Sequence, residues 1–267
     1  MPTFIPIDDP ADPRLEPYRD IRERDLVGRR GLFVAEGETV LRVLAGQRRH
    51  RPLSVLIAEK RRDKLAPVLD ALPAETPVYL VGQAALDQVA GFPMHRGVLA
   101  LAGRAPAADA DALLTGLSDG ALVMALVGIA NHDNMGGLFR NAAAFGVDAV
   151  LLDPTCCDPL YRKAVRVSVG GVLRVPFATV EGDLVGLLER RGFTPIALSP
   201  AGGTTLAALE PVARPALLLG AEGPGLPDAI LARCRTVSIP MAAGFDSLNV
   251  AVAAGIGLHA LRVSSPT

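Results

Sequence analysis

Five polar side chains sit where their neighbours give them little structural reason to be. In NHDNMGGLFRNAAAFG, residues 131–146, Asn134 precedes a glycine pair, and Arg140 stands alone among small and apolar residues. A guanidinium in that setting suits an anion or a developing negative charge. In LLLGAEGPGLPDAIL, residues 217–231, Glu222 is set between glycines. Glycine-rich strand-to-helix turns often cradle phosphates, but this one matches neither GxGxxG nor GxxxxGK[ST]. A carboxylate there disfavours a phosphate and suits a cation or a hydroxyl donor. In SIPMAAGFDSLNVAVAAGIGLHAL, residues 238–261, Ser247 can cap the helix that follows, and Asn249 falls in the first turn of an otherwise apolar run.

The local pattern around Arg140 assigns faces. Asn134 stands where a helix N-cap would fall. Gly136 and Gly137 then open the helix at about 1 kcal/mol each relative to alanine in a helix interior, which implies that a ligand or another backbone approaches closely there. Arg140 follows one turn later and precedes Ala143 and Ala144, so its stripe is made of small residues. Leu138, Ala142 and Phe145 form a separate stripe that can face a sheet. Arg140 therefore points into a cleft or across an interface.

The elements that must hold these loops alternate. Residues 121–128, 148–152, 193–199, 215–220 and 236–240 read as strands, and 136–145, about 159–169, 183–191, 226–234 and 247–262 as helices. Alternation of this kind is the pattern of a parallel α/β sheet, and the wholly apolar strand runs imply cover on both faces. All three loops leave the C-terminal ends of strands, where open parallel sheets bind ligands.

Before them, residues 1–105 read as a smaller α/β domain, with strand-like GLFVAEG, LSVLIAE, TPVYLVG and GVLALAG and a helix-like KLAPVLDAL. The stretch GRAPAADADALLTG, rich in Ala, Pro and Asp, reads as a linker, giving domains at 1–105 and 119–267 joined by 106–118. The first 105 residues carry sixteen basic and fourteen acidic side chains, the remainder eleven and fourteen. Eight basic residues fall within 42–64 against Glu59 and Asp63. Arg42, Arg48, Arg49, Arg51, Arg61 and Arg62 are its candidate phosphate contacts. A net charge of −1 for the whole chain supplies no global pull toward nucleic acid or membrane. No run of 18 apolar residues is present and the first twenty residues do not read as a signal peptide. Three cysteines, Cys156, Cys157 and Cys234, make no disulfide framework and no zinc spacing, so the expectations are a reducing cytoplasm and no metal.

Taken together, the three loops resemble the motifs of the SpoU (TrmH) branch of the SPOUT methyltransferases. The first is N-x-G-x-x-x-R, here Asn134 to Arg140. The second is a G-x-E-x-x-G turn, here Gly220 to Gly225. The third is I-P-M followed by S-L-N-V, here Ile239 to Met241 and Ser247 to Val250. They occur in order, with about 80 residues between the first two. FVAEGETVLRVL and HRGVLALAG are similar to the family's N-terminal substrate-binding domain. One departure is His132, where the family often has proline.

The resemblance implies an S-adenosylmethionine-dependent RNA 2′-O-ribose methyltransferase, with ribosomal RNA favoured over transfer RNA as substrate. It implies a parallel sheet with a deep C-terminal trefoil knot, and a homodimer with the active site close to its interface. It carries catalytic roles onto Asn134, Arg140, Glu222, Ser247 and Asn249. It places the cofactor among Leu219, Gly220, Glu222, Gly223, Ile239, Met241, Leu248 and Asn249. Because a guanidinium stays protonated at any ordinary pH, Arg140 is read as an electrostatic clamp on the reacting oxygen or its phosphate, not as the base. Two rival readings are a non-catalytic RNA-binding or ribosome-assembly protein that keeps the knot, and a nucleotide-dependent enzyme on an ordinary doubly wound fold. The complete motif set argues against the first. The second lacks a glycine-rich first turn followed by an acid about 20 residues on.

Overall fold

The computed structural model describes residues 2–19, 23–94, 97–243 and 246–263. In chain order the elements begin β1 (Phe4–Pro6), α1 (Glu23–Arg29), β2 (Leu32–Glu36), α2 (Glu38–Gly46), β3 (Arg51–Ala58), α3 (Arg62–Leu69), β4 (Val78–Val81), α4 (Gln83–Ala90) and β5 (Val98–Gly103). They continue α5 (Ala110–Thr115), β6 (Val123–Leu126), α6 (His132–Ala144), β7 (Ala149–Leu152), α7 (Arg162–Val167), α8 (Gly171–Arg174), β8 (Phe177–Thr179) and α9 (Leu184–Arg190). The last are β9 (Thr194–Leu198), β10 (Thr204–Thr205), β11 (Pro215–Leu219), α10 (Asp228–Leu231), β12 (Arg235–Ser238) and α11 (Val250–Val263).

These elements form two compact units. The first holds Met1–Pro106 together with Asp158–Arg174, and the second holds Ala107–Cys157 and Val175–Thr267. The first unit is built on a five-stranded sheet of order β1-β4-β3-β5-β2, parallel across β1, β4 and β3 and antiparallel at β5. Leu15, Tyr18, Val34, Leu56, Leu86 and Leu99 pack in its core. The buried Tyr18 hydroxyl and Ser54 Oγ satisfy each other at 2.6 Å, as buried polar atoms must.

The second unit carries a wholly parallel seven-stranded sheet of order β10-β12-β9-β11-β6-β7-β8. Every residue of β6, β7 and β11 is buried, because helices cover both faces of the middle of the sheet. The edge-ward β12 buries only Val237. One connection is unusual. The chain leaving β9 pairs as β10 on the far side of β12, then returns to form β11 beside β9. A connection made early in the chain thus reaches around a strand made later.

Two expected boundaries change. The stretch read as a linker, 106–118, contains α5, whose Asp109 caps the helix by accepting from the Ala112 N–H at 2.7 Å. Its Ala110 and Leu114 are buried in the core of the second unit. The helix expected near 159–169 forms as α7, but it joins the first unit and not the sheet it interrupts. Arg162 and Arg166, on one face of α7, both reach the buried carboxylate of Glu36 at the end of β2, at 3.0 Å each. A buried carboxylate is costly unless charge and hydrogen bonds meet it, so Glu36 fixes where α7 docks.

Candidate active site

The first loop enters α6 differently from the expectation. Asn131, not Asn134, is the N-cap: its Oδ1 accepts from the backbone N–H of Asp133 at 2.8 Å and of Asn134 at 3.3 Å. The helix therefore starts four residues before the glycines, and Asn134 lies inside its first turn, 7 % exposed, with its side chain free for another task. The loop is held from below. The Gly128 N–H donates to Asp153 Oδ1 at 3.0 Å, and the Ile129 N–H donates to Cys156 Sγ at 3.3 Å. Burial pushes the Cys156 thiol up to about 12, so it is a neutral packing group and not a nucleophile.

The third loop also corrects the expectation. Asn249, not Ser247, caps α11: its Oδ1 accepts from the N–H groups of Ala251 at 2.9 Å and Val252 at 3.4 Å. That fixes the amide, because the oxygen must face the helix and the nitrogen must face away. Asn249 Nδ2 then donates to Asn134 Oδ1 at 2.9 Å and to Glu222 Oε1 at 3.0 Å. One amide thus ties together the three loops that the sequence singles out.

The two helices that begin here lie side by side and run the same way. Gly137 faces Ala251 so closely that a Cβ on it would sit 2.8 Å from the alanine's. Asn141 Nδ2 donates to the Ala251 carbonyl at 2.5 Å, and at the far end Arg262 Nε donates to the Phe145 carbonyl at 2.8 Å. The glycine and alanine stripes noted in both helices are the contact surface between them. Both positive helix ends consequently point at the same place, where they favour the Glu222 carboxylate and any negative charge formed nearby.

Glu222 stands in a turn that closes on itself. The Gly225 N–H donates to the Ala221 carbonyl at 3.0 Å, and Gly223 and Gly225 take φ of +87° and +69°. A Cβ on Gly220 would lie 2.2 Å from the Gly225 carbonyl carbon, so only glycine lets the turn fold back.

Beside this turn is a cavity of about 550 Å³. All eight residues expected around the cofactor line it: Leu219, Gly220, Glu222, Gly223, Ile239, Met241, Leu248 and Asn249. Ser247 lines it too; it is exposed and makes no hydrogen bond among the described residues. Sequence reasoning missed one wall, Leu198–Pro200 at the end of β9, because nothing in LSP marks it. It also missed Asp246, a second carboxylate in the lining. Among the described residues the lining holds no Lys or Arg.

Arg140 is not brought to this cavity. It lies on α6 beyond Asn134, exposed, with no hydrogen bond or ion pair among the described residues. Of the six candidate arginines in the first unit, most are engaged. Arg42 and Arg61 both pair with Glu38, at 3.2 and 3.1 Å, and Arg51 approaches Glu75 at 3.9 Å. Arg62 stacks over Phe4 with its guanidinium carbon 4.4 Å from the ring centre. Arg49 is half-buried, and Arg48 is exposed. The local excess of positive charge is therefore smaller than a count over 42–64 implies, because Glu38 and Glu75 lie just outside that window. Among the described residues no group of three or more His, Cys, Asp or Glu is placed to hold a metal ion, and no helix is long and apolar enough to cross a membrane.

Known proteins match this arrangement. The chain is 40% identical over 264 residues to an uncharacterized tRNA/rRNA methyltransferase of Mycobacterium tuberculosis, covering 94% of this chain and 89% of that one. It is 31% identical over 229 residues to the 23S rRNA (guanosine-2'-O-)-methyltransferase RlmB of Acinetobacter baylyi, covering 78% and 88%. The fold superposes on the AdoMet-bound rRNA methyltransferase from Sinorhizobium meliloti with a TM-score of 0.82 at 22% identity, over 97% of this chain and 98% of that one. The model of the SpoU rRNA methylase family matches residues 121–259, which contain all three motifs, and the chain belongs to that family.

Proposed function

We propose that the chain is an S-adenosylmethionine-dependent RNA (ribose-2′-O)-methyltransferase. The observation that carries the reading is the cavity between the second and third family loops, with two carboxylates, Glu222 and Asp246, and no cation among the described residues that line it. A sulfonium with an α-amino group is a small, positively charged ligand, and about 550 Å³ lies within the range that encloses ligands of its size. Leu219, Ile239 and Leu248 supply apolar walls, and the Gly220–Gly225 turn presents bare backbone. The cofactor supplies an electrophilic methyl group. The chain's own residues do the rest. The Asn249 amide holds Asn134 and Glu222 in register, and these three, with Ser247, orient the ribose. Arg140 stabilises the oxygen as it loses its proton, or grips the adjacent phosphate. Titration calorimetry should show S-adenosylmethionine binding, and label from its methyl group should pass to ribosomal RNA. Binding without transfer to any RNA would leave only the cofactor site standing and favour an RNA-binding protein.

Finer features of the reading have their own support. The β9–β11 connection that reaches around β12 supports a trefoil knot, rare in proteins generally. That Cys156, Cys157 and Cys234 are not joined in disulfides among the described residues supports a reducing cytoplasm. The match to a 23S ribosomal RNA enzyme favours ribosomal over transfer RNA.

A homodimer is supported by an apolar stripe on α11. Val252 and Ile256, one turn apart, are 53 and 40 % exposed. Arg140 and Ala144 are exposed on the adjoining α6. A second copy seated on this face covers the stripe and receives Arg140 from across the interface, which explains why Arg140 is away from its own cavity. The double substitution Val252→Asp with Ile256→Asp should shift the sedimentation coefficient from dimer to monomer. A wild-type chain that sediments as a monomer at assay concentrations contradicts the dimer.

A further inference from the structure

Two asparagines compete to begin α6. In the structure Asn131 is the cap. Its backbone is extended, at φ −84° and ψ 123°, and its carbonyl accepts the first helical bond from the Met135 N–H at 2.9 Å. Its Oδ1 takes the N–H groups of Asp133 and Asn134. Asn134 carries the same side chain three residues on, directly before Met135, Gly136 and Gly137. As a cap it would accept from the N–H groups of the two glycines and start the helix one turn later. Little separates the two starts. The turn between them joins the rest of α6 through adjacent glycines, which gain more freedom on unwinding than any other residue. That weakness is built in, because Gly137 is required where α6 meets Ala251.

For the site the two starts are far from equal. When Asn131 caps, Asn134 is helical and buried, and its Oδ1 meets Asn249 Nδ2 at 2.9 Å. When Asn134 caps, its backbone turns extended and the same oxygen is drawn to the glycine N–H groups. The bond to Asn249 is then lost, while Asn249 keeps its cap of α11 and its bond to Glu222. The approach to the cap is fixed as well. The Ile129 N–H donates to Cys156 Sγ, and the Ile129 carbonyl accepts from the Cys157 N–H at 2.8 Å. Only Ala130 lies between that anchor and Asn131, so the loop after β7 sets where the cap stands. We propose that Asn131 is a positioning residue for methyl transfer: by capping α6 it keeps Asn134 out of the cap and on Asn249, where it orients the ribose. Asn131 is not among the described residues lining the cofactor cavity, so its effect falls on the reaction and not on cofactor binding. This role rests on the reading of the chain as a ribose methyltransferase.

The test uses the full-length chain, with amide hydrogen exchange read by mass spectrometry, calorimetry with S-adenosylmethionine, and single-turnover methyl transfer to unmodified ribosomal RNA. Asn131→Ala should speed exchange at residues 132–135 about tenfold and leave residues 138–144 protected, since the helix beyond the glycines keeps its packing. Transfer should slow about tenfold, with cofactor affinity within about twofold of wild type, because one cap decides the register and the cavity is untouched. Asn131→Asp should restore slow exchange and transfer, since aspartate caps as well as asparagine. In an Asn134→Ala chain, adding Asn131→Ala should slow transfer no further, because the residue it positions is gone. Faster exchange along the whole of α6, or a loss of cofactor affinity equal to the loss of rate, overturns the inference, because a general loosening of the helix then explains both. So does an Asn131→Asp chain as slow as Asn131→Ala, or wild-type exchange and rate in Asn131→Ala. A wild-type chain that methylates no RNA removes the enzyme reading and this role with it, while the exchange pattern shows separately which asparagine caps.

Discussion

Arg140→Ala should bind S-adenosylmethionine as the wild type does and lose methyl transfer by about a hundred- to a thousandfold, the usual cost of removing one donor from a developing oxyanion. The two halves of this prediction come from separate observations. The cofactor cavity does not include Arg140, so its removal leaves that cavity intact. Arg140 is exposed and uncommitted, so its removal breaks no ion pair among the described residues and costs little stability. Single-turnover transfer and calorimetry read the two effects. A Lys substitution should restore only part of the rate, because an ammonium keeps the charge but not the planar fork. If Arg140 serves the partner's site, mixed dimers of Arg140→Ala with a chain defective in its own cofactor turn should recover activity that neither parent has. Recovery fails if Arg140 serves its own chain. Near-normal turnover of the Arg140→Ala homodimer removes the residue from the mechanism.

Gly220→Ala supplies that second chain and is the other substitution with a large effect. The added methyl would overlap the Gly225 carbonyl carbon at 2.2 Å and the Leu226 nitrogen at 2.4 Å. Backbone, not a flexible side-chain end, is in the way, so the turn must open. Opening moves Glu222, and with it the acceptor of one Asn249 hydrogen bond. S-adenosylmethionine affinity should fall at least about a hundredfold, roughly 3 kcal/mol. The thermal midpoint should fall less steeply, because the turn is exposed and the β11 core beneath it is unchanged. Wild-type affinity in calorimetry would show that the turn does not form the cofactor wall. Gly223→Ala is a useful contrast: nothing stands near its Cβ position, so the cost there comes from the positive φ alone.

Much of this site was legible in the sequence because its signals are local. Glycines in a strand-to-helix turn, a lone arginine in a small-residue stripe and an asparagine at a helix start each carry meaning within a few residues. The strand centres of the second unit were legible for the same reason: a short apolar run such as AVLL, bounded by turn residues, reads as a strand buried on both faces. What was lost depended on partners far along the chain. Asn131 and Asn134 are both plausible caps, and only the contact with Asn249, 115 residues later, shows that Asn134 is needed elsewhere. The α7 pattern is amphipathic whichever core it packs on. Its docking on the first unit is decided by Glu36, 126 residues before Arg162. Helix α5 was a misreading of available signal: Ala110, Leu113, Leu114 and Leu117 follow helical spacing behind an Asp cap, but the Ala/Pro/Asp composition around them suggests a linker. The short β10 has no signal at all, since two threonines at a sheet edge resemble any loop.

The basic segment shows the opposite hazard. A charge count over 42–64 takes no account of Glu38, yet this one carboxylate engages two of the six candidate arginines. Charge runs are informative only after their counter-ions are placed.

The most direct test of the central claim is the chemical identity of the product. The purified chain is given S-adenosylmethionine with an isotopically labelled methyl group and ribosomal RNA made without modifications. The RNA is then digested to nucleosides and separated by mass spectrometry. The label should appear in a 2′-O-methylated nucleoside, and the Arg140→Ala chain should leave that peak at background. Label on a base, or no label on any RNA while the cofactor binds, contradicts it.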